Sequence, residues 1–163
     1  MDLPSDCNYA TSTDNGGGNY TLNCPSSGTQ TILSQQQGIC PSGWHIPSFP
    51  EWHTLEYYLS DDPTNNCATN HSNGQCEAAG SKLKADATWG DGSNNSSGFS
   101  ARPAGFRSVT GSFIGLTWNG FLWSTTPDGV EYAVNPDLYN SDPGVYIGVD
   151  GRANGMSVYC LQN

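Results

Sequence analysis

Six cysteines constrain this chain more than any other feature. They stand at positions 7, 24, 40, 67, 76 and 160, and no two form a Cys-x-x-Cys pair. The even number, with only three histidines in the chain, favours disulfides over a zinc site. Disulfides in turn imply folding outside a reducing cytosol.

Six cysteines can pair in many ways, and sequence alone does not choose among them. Loop closure favours three bridges: Cys7 to Cys24, Cys67 to Cys76, and Cys40 to Cys160. The first two each close a local polar loop. The third would join the start of the core to the last strand and close a long loop, which restricts the unfolded chain most.

The length of 163 residues fits one domain, and 20 Gly with 10 Pro indicate many turns. The net charge of −10, with five Lys plus Arg, argues against nucleic acid and anionic membranes as partners. The sequence contains no apolar run that could cross a bilayer and no signal peptide at its start. We therefore expect a soluble monomer that acts outside the cell or at its surface, with any leader or anchor lying outside this chain.

Periodicity predicts an α+β domain. Ser48 and Glu51 have the spacing of a capping box, and Trp52, Leu55 and Leu59 follow as one apolar face, which predicts a helix over 49–59. A second short helix is expected over 77–84. Residues 1–38 are polar and are expected to form an N-terminal arm or hairpin on the domain of residues 39–163.

The second half of the chain carries short strand patterns separated by turns. The expected strands are 99–101, 105–109, 120–125, 130–134, 145–149 and 156–161. Trp44 and Ile46 are expected to begin a buried strand before the first helix.

Eight short strings resemble one family, the Fibrobacter succinogenes major paralogous domain, and occur in family order across residues 39–163. The strings are Cys40-Pro41-Ser42-Gly43-Trp44-His45-Ile46-Pro47, Glu51-Trp52, Lys82-Leu83-Lys84, Ser97-Gly98-Phe99-Ser100-Ala101, Pro103-Ala104-Gly105-Phe106-Arg107, Gly111-Ser112-Phe113, Trp123-Ser124-Thr125-Thr126, and Gly155-Met156-Ser157-Val158 with Cys160. The resemblance implies a C-type-lectin-like fold, with two helices and a twisted antiparallel sheet with long loops. It also implies the bridge from Cys40 to Cys160.

The chain further resembles the variable proteins of diversity-generating retroelements, which use the same scaffold. In those proteins a C-terminal cassette is rewritten at template adenines, so that Asn codons become many residues but not Lys, Glu, Gln, Met or Trp. Between Ser112 and Asp150 this chain has no Lys, Gln or Met and one Glu, Glu131. The resemblance therefore implies a hypervariable ligand surface in this segment, with Trp118 and Trp123 as fixed positions.

The expected ligand-binding residues combine aromatic anchors with turn residues, as adaptable binding surfaces do. They are Ile114, Thr117, Trp118, Phe121, Tyr132, Val134, Pro136, Tyr146, Ile147, Gly148, Val149 and Asp150. Trp123-Ser124-Thr125-Thr126, Ala133, Leu138 and Val145 are expected to be scaffold. The partner would be a protein or a glycan, bound without a cofactor or metal.

Three other functions remain open. An undiversified surface adhesin or glycan-binding paralog would have the same sequence features. A formylglycine-generating-type enzyme shares the lectin-like core but needs a reactive cysteine, and all six cysteines here have partners, so we expect no enzyme. Calcium-dependent sugar binding is suggested by Asn135-Pro136-Asp137, but Trp118-Asn119-Gly120 departs from the Trp-Asn-Asp motif.

Overall fold

The computed structural model describes residues 8–14, 19–24, 28–33, 36–61, 67, 76, 78–85, 88–90 and 93–163, the first three ranges as backbone. Those three ranges are strands β1 (Asn8–Asp14), β2 (Asn19–Cys24) and β3 (Gly28–Leu33). They form an antiparallel sheet in the order β1-β2-β3. The segment expected to be an arm or hairpin is therefore a three-stranded meander.

Two helices are present in the described part of the chain. Helix α1 (Phe49–Leu59) has the expected bounds, and the Glu51 carboxylate accepts hydrogen bonds from the Ser48 N–H at 2.8 Å and the Ser48 hydroxyl at 2.7 Å. Helix α2 (Ala79–Leu83) lies within the segment expected to be helical. Together with the antiparallel sheets, these helices confirm the α+β class.

Seven short strands lie at the start of the core and in the second half of the chain, where turns separate them. They are β4 (Trp44–His45), β5 (Phe106–Arg107), β6 (Phe113–Ile114), β7 (Asn119–Phe121), β8 (Pro127–Asp128), β10 (Tyr146–Gly151) and β11 (Leu161–Gln162). The longest strand is β9 (Tyr132–Tyr139). It lies between β10 and β7 and also pairs with β8, so that it organises the main antiparallel sheet.

The hydrophobic core lies between the main sheet and the two helices. Its buried side chains come from both helices, the connecting loops and the sheet: Trp52, Leu59, Cys67, Cys76, Ala79, Leu83, Trp89, Ala101, Leu122, Leu138 and Val145. Lys84 is also buried, and its Nζ donates to the carbonyl oxygens of Tyr139 at 2.5 Å and Asp142 at 2.6 Å. This ammonium group thus ties the end of α2 to the end of β9.

Two of the three expected disulfides are present. Cys40 and Cys160 are joined with their Cα atoms 5.8 Å apart, and β4 pairs with β11 beside them. Cys67 and Cys76 are also joined. The third expected bridge, from Cys7 to Cys24, lies outside the described residues because Cys7 is not among them.

Three local expectations differ from the structure. Trp44 is 38% exposed whereas His45 is buried, since the imidazole contacts Asn163 Oδ1 at 2.7 Å and Glu51 Oε1 at 3.0 Å. The strand expected over 130–134 continues to Tyr139. The strand expected over 156–161 is reduced to a bridge between Leu122 and Ser157 and the two residues of β11.

Candidate functional site

The register of β9 and β10 assigns their residues to two faces of the main sheet, because successive side chains in a strand point to opposite sides. Val134, Pro136 and Leu138 share one face with Val149 and Ile147, their partners across β10. We call this the inner face, since Leu138 belongs to the core. The opposite side is the outer face. Its side chains are Ala133, Asn135, Asp137, Tyr139, Tyr146, Asp150 and, from β7, Asn119 and Phe121, with Gly148 at the same level.

Because side chains alternate between the two faces of the sheet, the expected ligand-binding residues do not all lie on one surface. Val134 and Pro136 point inward and are buried, and Phe121 on the outer face is only 8% exposed. The sequence predicts all three on the ligand surface, but their burial removes them from direct contact with a ligand. Consecutive residues of a strand cannot all face the same partner, which is why a run of positions could not form one surface.

The segment 113–118, which comprises β6 and the turn before β7, carries a cluster of exposed apolar side chains. Trp118 is 61% exposed and Ile114 is 47% exposed, and Thr117 is exposed as well. Phe113 and Leu116, which the sequence analysis did not select, are 69% and 54% exposed. We call these five residues the loop patch. Their clustering within six positions of the sequence is a signal from which an exposed apolar surface could be predicted.

The backbone of the loop patch is held against the outer face. A Cβ atom added at Gly115, where φ is +70°, would lie 3.2 Å from the Phe121 ring. Thr117 also has a positive φ of 70°, which is rare for a β-branched residue. The N–H of Thr117 donates to the carbonyl of Pro103 at 2.8 Å, and the Trp118 N–H donates to Gly115 at 3.0 Å. The exposed side chains therefore project from a fixed turn.

A row of aromatic rings crosses the outer face beneath the loop patch. The rings of Phe106 and Phe121 are 5.0 Å apart, those of Phe121 and Tyr139 are 6.4 Å apart, and those of Tyr139 and Tyr146 are 5.1 Å apart, all edge to face. Tyr146 also donates from its hydroxyl to Asp142 Oδ2 at 2.6 Å. Edge-to-face contacts of this kind fix ring orientation.

A buried polar cluster lies beside the aromatic row. The Asn135 amide donates to Asp137 Oδ1 at 2.5 Å, and the Tyr139 hydroxyl donates to Asp137 Oδ2 at 3.1 Å. Burial, reinforced by the nearby Asp150 carboxylate, raises the pKa of Asp137 to about 7. Burial also raises the pKa of Asp150. Among the described residues, no group of three side chains with metal-ligand chemistry includes Asp128, Asp137 or Asp150.

A second exposed region lies at the other end of β9. Tyr132 and Val149 are each 49% exposed, and Ile147 is partly exposed. Arg152 holds this end by donating from Nε to the Tyr132 carbonyl at 2.9 Å. Tyr132 and Tyr139 are the two ends of β9, about 23 Å apart at the usual rise of a strand. We call Tyr132, Ile147 and Val149 the edge patch; it is separate from the loop patch.

Cys40, Cys67, Cys76 and Cys160 are all in disulfides, so none of these described cysteines is a thiol. His45 is held by hydrogen bonds inside the fold. One group of side chains with metal-ligand chemistry occurs in the described ranges, formed by His53 with the second disulfide.

Comparison with known protein families gives a match over most of the chain. The family model described as Fibrobacter succinogenes major domain matches residues 6–162. No curated protein and no solved structure matches the chain. Within the described residues, no helix has the length and apolar character needed to span a membrane.

Proposed function

We propose that this chain, which belongs to the Fibrobacter succinogenes major domain family, is a non-catalytic ligand-binding module with a C-type-lectin-like fold that acts outside the cell. The observation that carries the proposal is the loop patch. Four of its five residues are large apolar side chains, and each is about half exposed or more. Isolated exposed apolar residues are common, but a cluster of them marks an interaction surface.

The physical basis of binding would be contact area on a preformed turn. Trp118 and Phe113 offer large rings that lose little conformational entropy on binding, and the positive φ at Gly115 and Thr117 already fixes the turn. The aromatic row supports the turn from below. No group in this arrangement needs a metal or cofactor to act, and a protein or glycan ligand fits a surface of this kind.

The finer proposal is that the module is the variable protein of a diversity-generating retroelement. It is supported by the exposure of Ile114, Thr117, Tyr132 and Val149, four positions whose residues can arise from Asn codons. Exposed positions can be rewritten without damage to the core. The scaffold residues Ala133, Leu138 and Val145, in contrast, are all buried.

A second candidate, an undiversified adhesin or glycan-binding paralog, is favoured by different residues. Val134 and Pro136 pack in the core, and Gly148 has no space for a side chain. A cassette that rewrote these positions would disrupt the fold. Diversification would therefore have to be confined to the loop patch, the edge patch and the exposed parts of β10.

The binding proposal is tested with a panel of immobilised surface proteins and glycans, probed with the disulfide-intact chain. A ligand found this way should lose at least about tenfold in affinity with Trp118→Ala and Ile114→Ala, as central interface residues do. Tyr58→Ala is the matched control, because Tyr58 is 84% exposed on α1 and lies outside both patches. Equal losses in all three variants would contradict the proposed surface.

The retroelement proposal is tested in the surrounding DNA. It requires a reverse-transcriptase gene and a near-identical template repeat that differs from the coding repeat at adenines. Their absence would leave the undiversified paralog as the function.

A further inference from the structure

Side chains of the types that bind metal ions cluster at α1 and the disulfide of Cys67 and Cys76, away from both exposed patches. His53 and Glu56 are three residues apart on α1 and so lie on neighbouring positions of its surface. One ligand atom from each of His53, Cys67 and Cys76 lies within 4.8 Å of the other two. Glu56 Oε2 lies 3.7 Å from Cys76 Sγ.

The disulfide leaves Glu56 poorly accommodated. Glu56 is 1% exposed, and its Oε1 has no hydrogen-bond partner in the described structure. Its Oε2 contacts the Cys76 sulfur, but a disulfide sulfur carries no hydrogen to donate. A buried carboxyl group without hydrogen-bond donors is costly. Within the described residues, the disulfide form therefore gives this carboxyl group no stabilising contact at Oε1.

The ligand types match a tetrahedral zinc site. Zinc binds thiolate at about 2.3 Å and imidazole or carboxylate at about 2.0–2.2 Å, which places neighbouring ligand atoms about 3.3–3.8 Å apart. The 3.7 Å contact between Glu56 and Cys76 falls in this range. Two sulfurs, one nitrogen and one oxygen would complete four-coordination, and the burial of both cysteines suits a closed structural site.

His53 is held beside Cys67 by a hydrogen bond. Its Nε2 lies 3.1 Å from the Cys67 carbonyl oxygen, to which it donates as N–H. A ligating histidine usually makes a hydrogen bond of this kind from the ring nitrogen that does not bind the metal.

We propose a zinc site that takes the place of the second disulfide when its cysteines are reduced, with four ligands: His53, Glu56, Cys67 and Cys76. A phosphine reductant opens the S–S bond and becomes the phosphine oxide, with water supplying the oxygen and the two thiol protons. Zinc then displaces one proton from each thiol and one from the Glu56 carboxyl group. The chain would thus keep this loop closed in either redox condition, a role that does not depend on the proposed ligand surface.

The test compares alkylation of the six cysteines in the reduced full chain, without oxygen, with and without one equivalent of zinc. Peptide mass spectrometry should show that zinc protects Cys67 and Cys76, while Cys7, Cys24, Cys40 and Cys160 react as before. A chelator should remove the protection. Equal alkylation of Cys67 and Cys76 with and without zinc, or protection spread over all six cysteines, would overturn the proposal.

Variants of Glu56 and His53 distinguish zinc ligation by these residues from a purely structural role. Glu56→Gln and His53→Gln should each weaken zinc affinity by more than about 10- to 100-fold, the loss expected when a residue only hydrogen-bonds to a metal ligand. Glu131→Gln, an exposed carboxylate outside the cluster, should leave it unchanged. Glu56→Gln is nearly isosteric and neutral, so its disulfide form should unfold cooperatively like the wild type. Unchanged zinc affinity in that folded variant would refute Glu56 as a ligand.

Discussion

Gly148 lies directly against the carboxyl group of Asp137 on the outer face: a Cβ atom at Gly148 would be 2.5 Å from Asp137 Oδ2 and 2.7 Å from Asn135 Nδ2. Both contacted side chains are buried and hydrogen-bonded to each other. Residue 148 is therefore fixed by its neighbours rather than free to vary, although the sequence analysis placed it among the ligand-binding residues.

Gly148→Ala should lower the free energy of unfolding by about 1–3 kcal/mol, the usual cost of overpacking. Gly151→Ala on the same strand is the matched control, because a Cβ atom there would lie 3.9 Å from its nearest neighbour, Asn154 Nδ2. Urea unfolding of the two variants measures the difference. Similar stabilities would show that Asp137 and Asn135 move aside at little cost.

The buried Asp137 carboxyl group should make stability depend on pH. Its pKa is about 7 in the folded chain against an ordinary value of 3.8, because burial and the Asp150 carboxylate disfavour ionisation. Between these values the unfolded chain has lost the proton and the folded chain keeps it. The unfolded state thus binds fewer protons, and stability should fall as pH rises from about 4 to about 7.

Asp137→Asn removes this contribution, so the stability of the variant should fall less steeply over the same range. The difference in slope should approach about 1.4 kcal/mol per pH unit. The measurement is urea unfolding of both proteins at several pH values. Parallel curves would mean that Asp137 ionises in the folded chain as it does in the unfolded one.

Lys84 is expected to stabilise the fold more than Lys82, its near neighbour. Lys84 is fully buried, donates to the Tyr139 and Asp142 carbonyls, and lies 4.9 Å from the Trp89 ring centre. Lys84→Met removes the ammonium donor from these two partly buried carbonyls, although Tyr139 still accepts from the Asp142 N–H at 3.3 Å, and should cost about 1–3 kcal/mol of unfolding free energy.

Lys82→Met is the matched control. Lys82 contacts the exposed Asp61 carboxylate at 2.5 Å and the Leu59 carbonyl at 2.7 Å, and partly exposed pairs contribute about 1 kcal/mol or less. Thermal or urea unfolding of Lys84→Met and Lys82→Met shows which variant loses more unfolding free energy. A Lys82 effect as large as that of Lys84 would contradict the argument from burial.

Local signals explain which parts of the fold the sequence predicts. Helix α1 was predicted to its ends because the Ser48–Glu51 capping box and the spacing of Trp52, Leu55 and Leu59 agree. Strand β9 was predicted only in its first three residues, since Asn135, Pro136 and Asp137 are typical turn residues. In the structure the Pro136 carbonyl accepts from the Leu122 N–H, so tertiary pairing overrides that preference.

The candidate site was predicted less completely, for a geometric reason. Sequence marks a variable segment but does not fix which side of the sheet each residue faces until the register is known. Glu56 shows a missed signal of another kind. It follows Trp52 by four residues and precedes Leu59 by three, so helical spacing alone puts it on the buried face.

Val134 and Val149 are opposite each other in the β9–β10 register and share one face of the sheet. Val134 is 6% exposed and Val149 is 49% exposed. Val134→Ser should cost about 2–4 kcal/mol, because it opens a cavity and buries a hydroxyl group. Val149→Ser should change stability by about 0.5 kcal/mol or less.

Positions 134 and 149 also test which residues a rewritten cassette could change without loss of folding. In a library randomised at both positions and selected only for folded protein, position 149 should retain polar and apolar residues alike, whereas position 134 should retain small apolar ones. Selection for folding alone makes the result independent of any ligand. If position 134 accepted polar residues as freely as 149, the division of the segment into scaffold and exchangeable surface by side-chain exposure would be wrong.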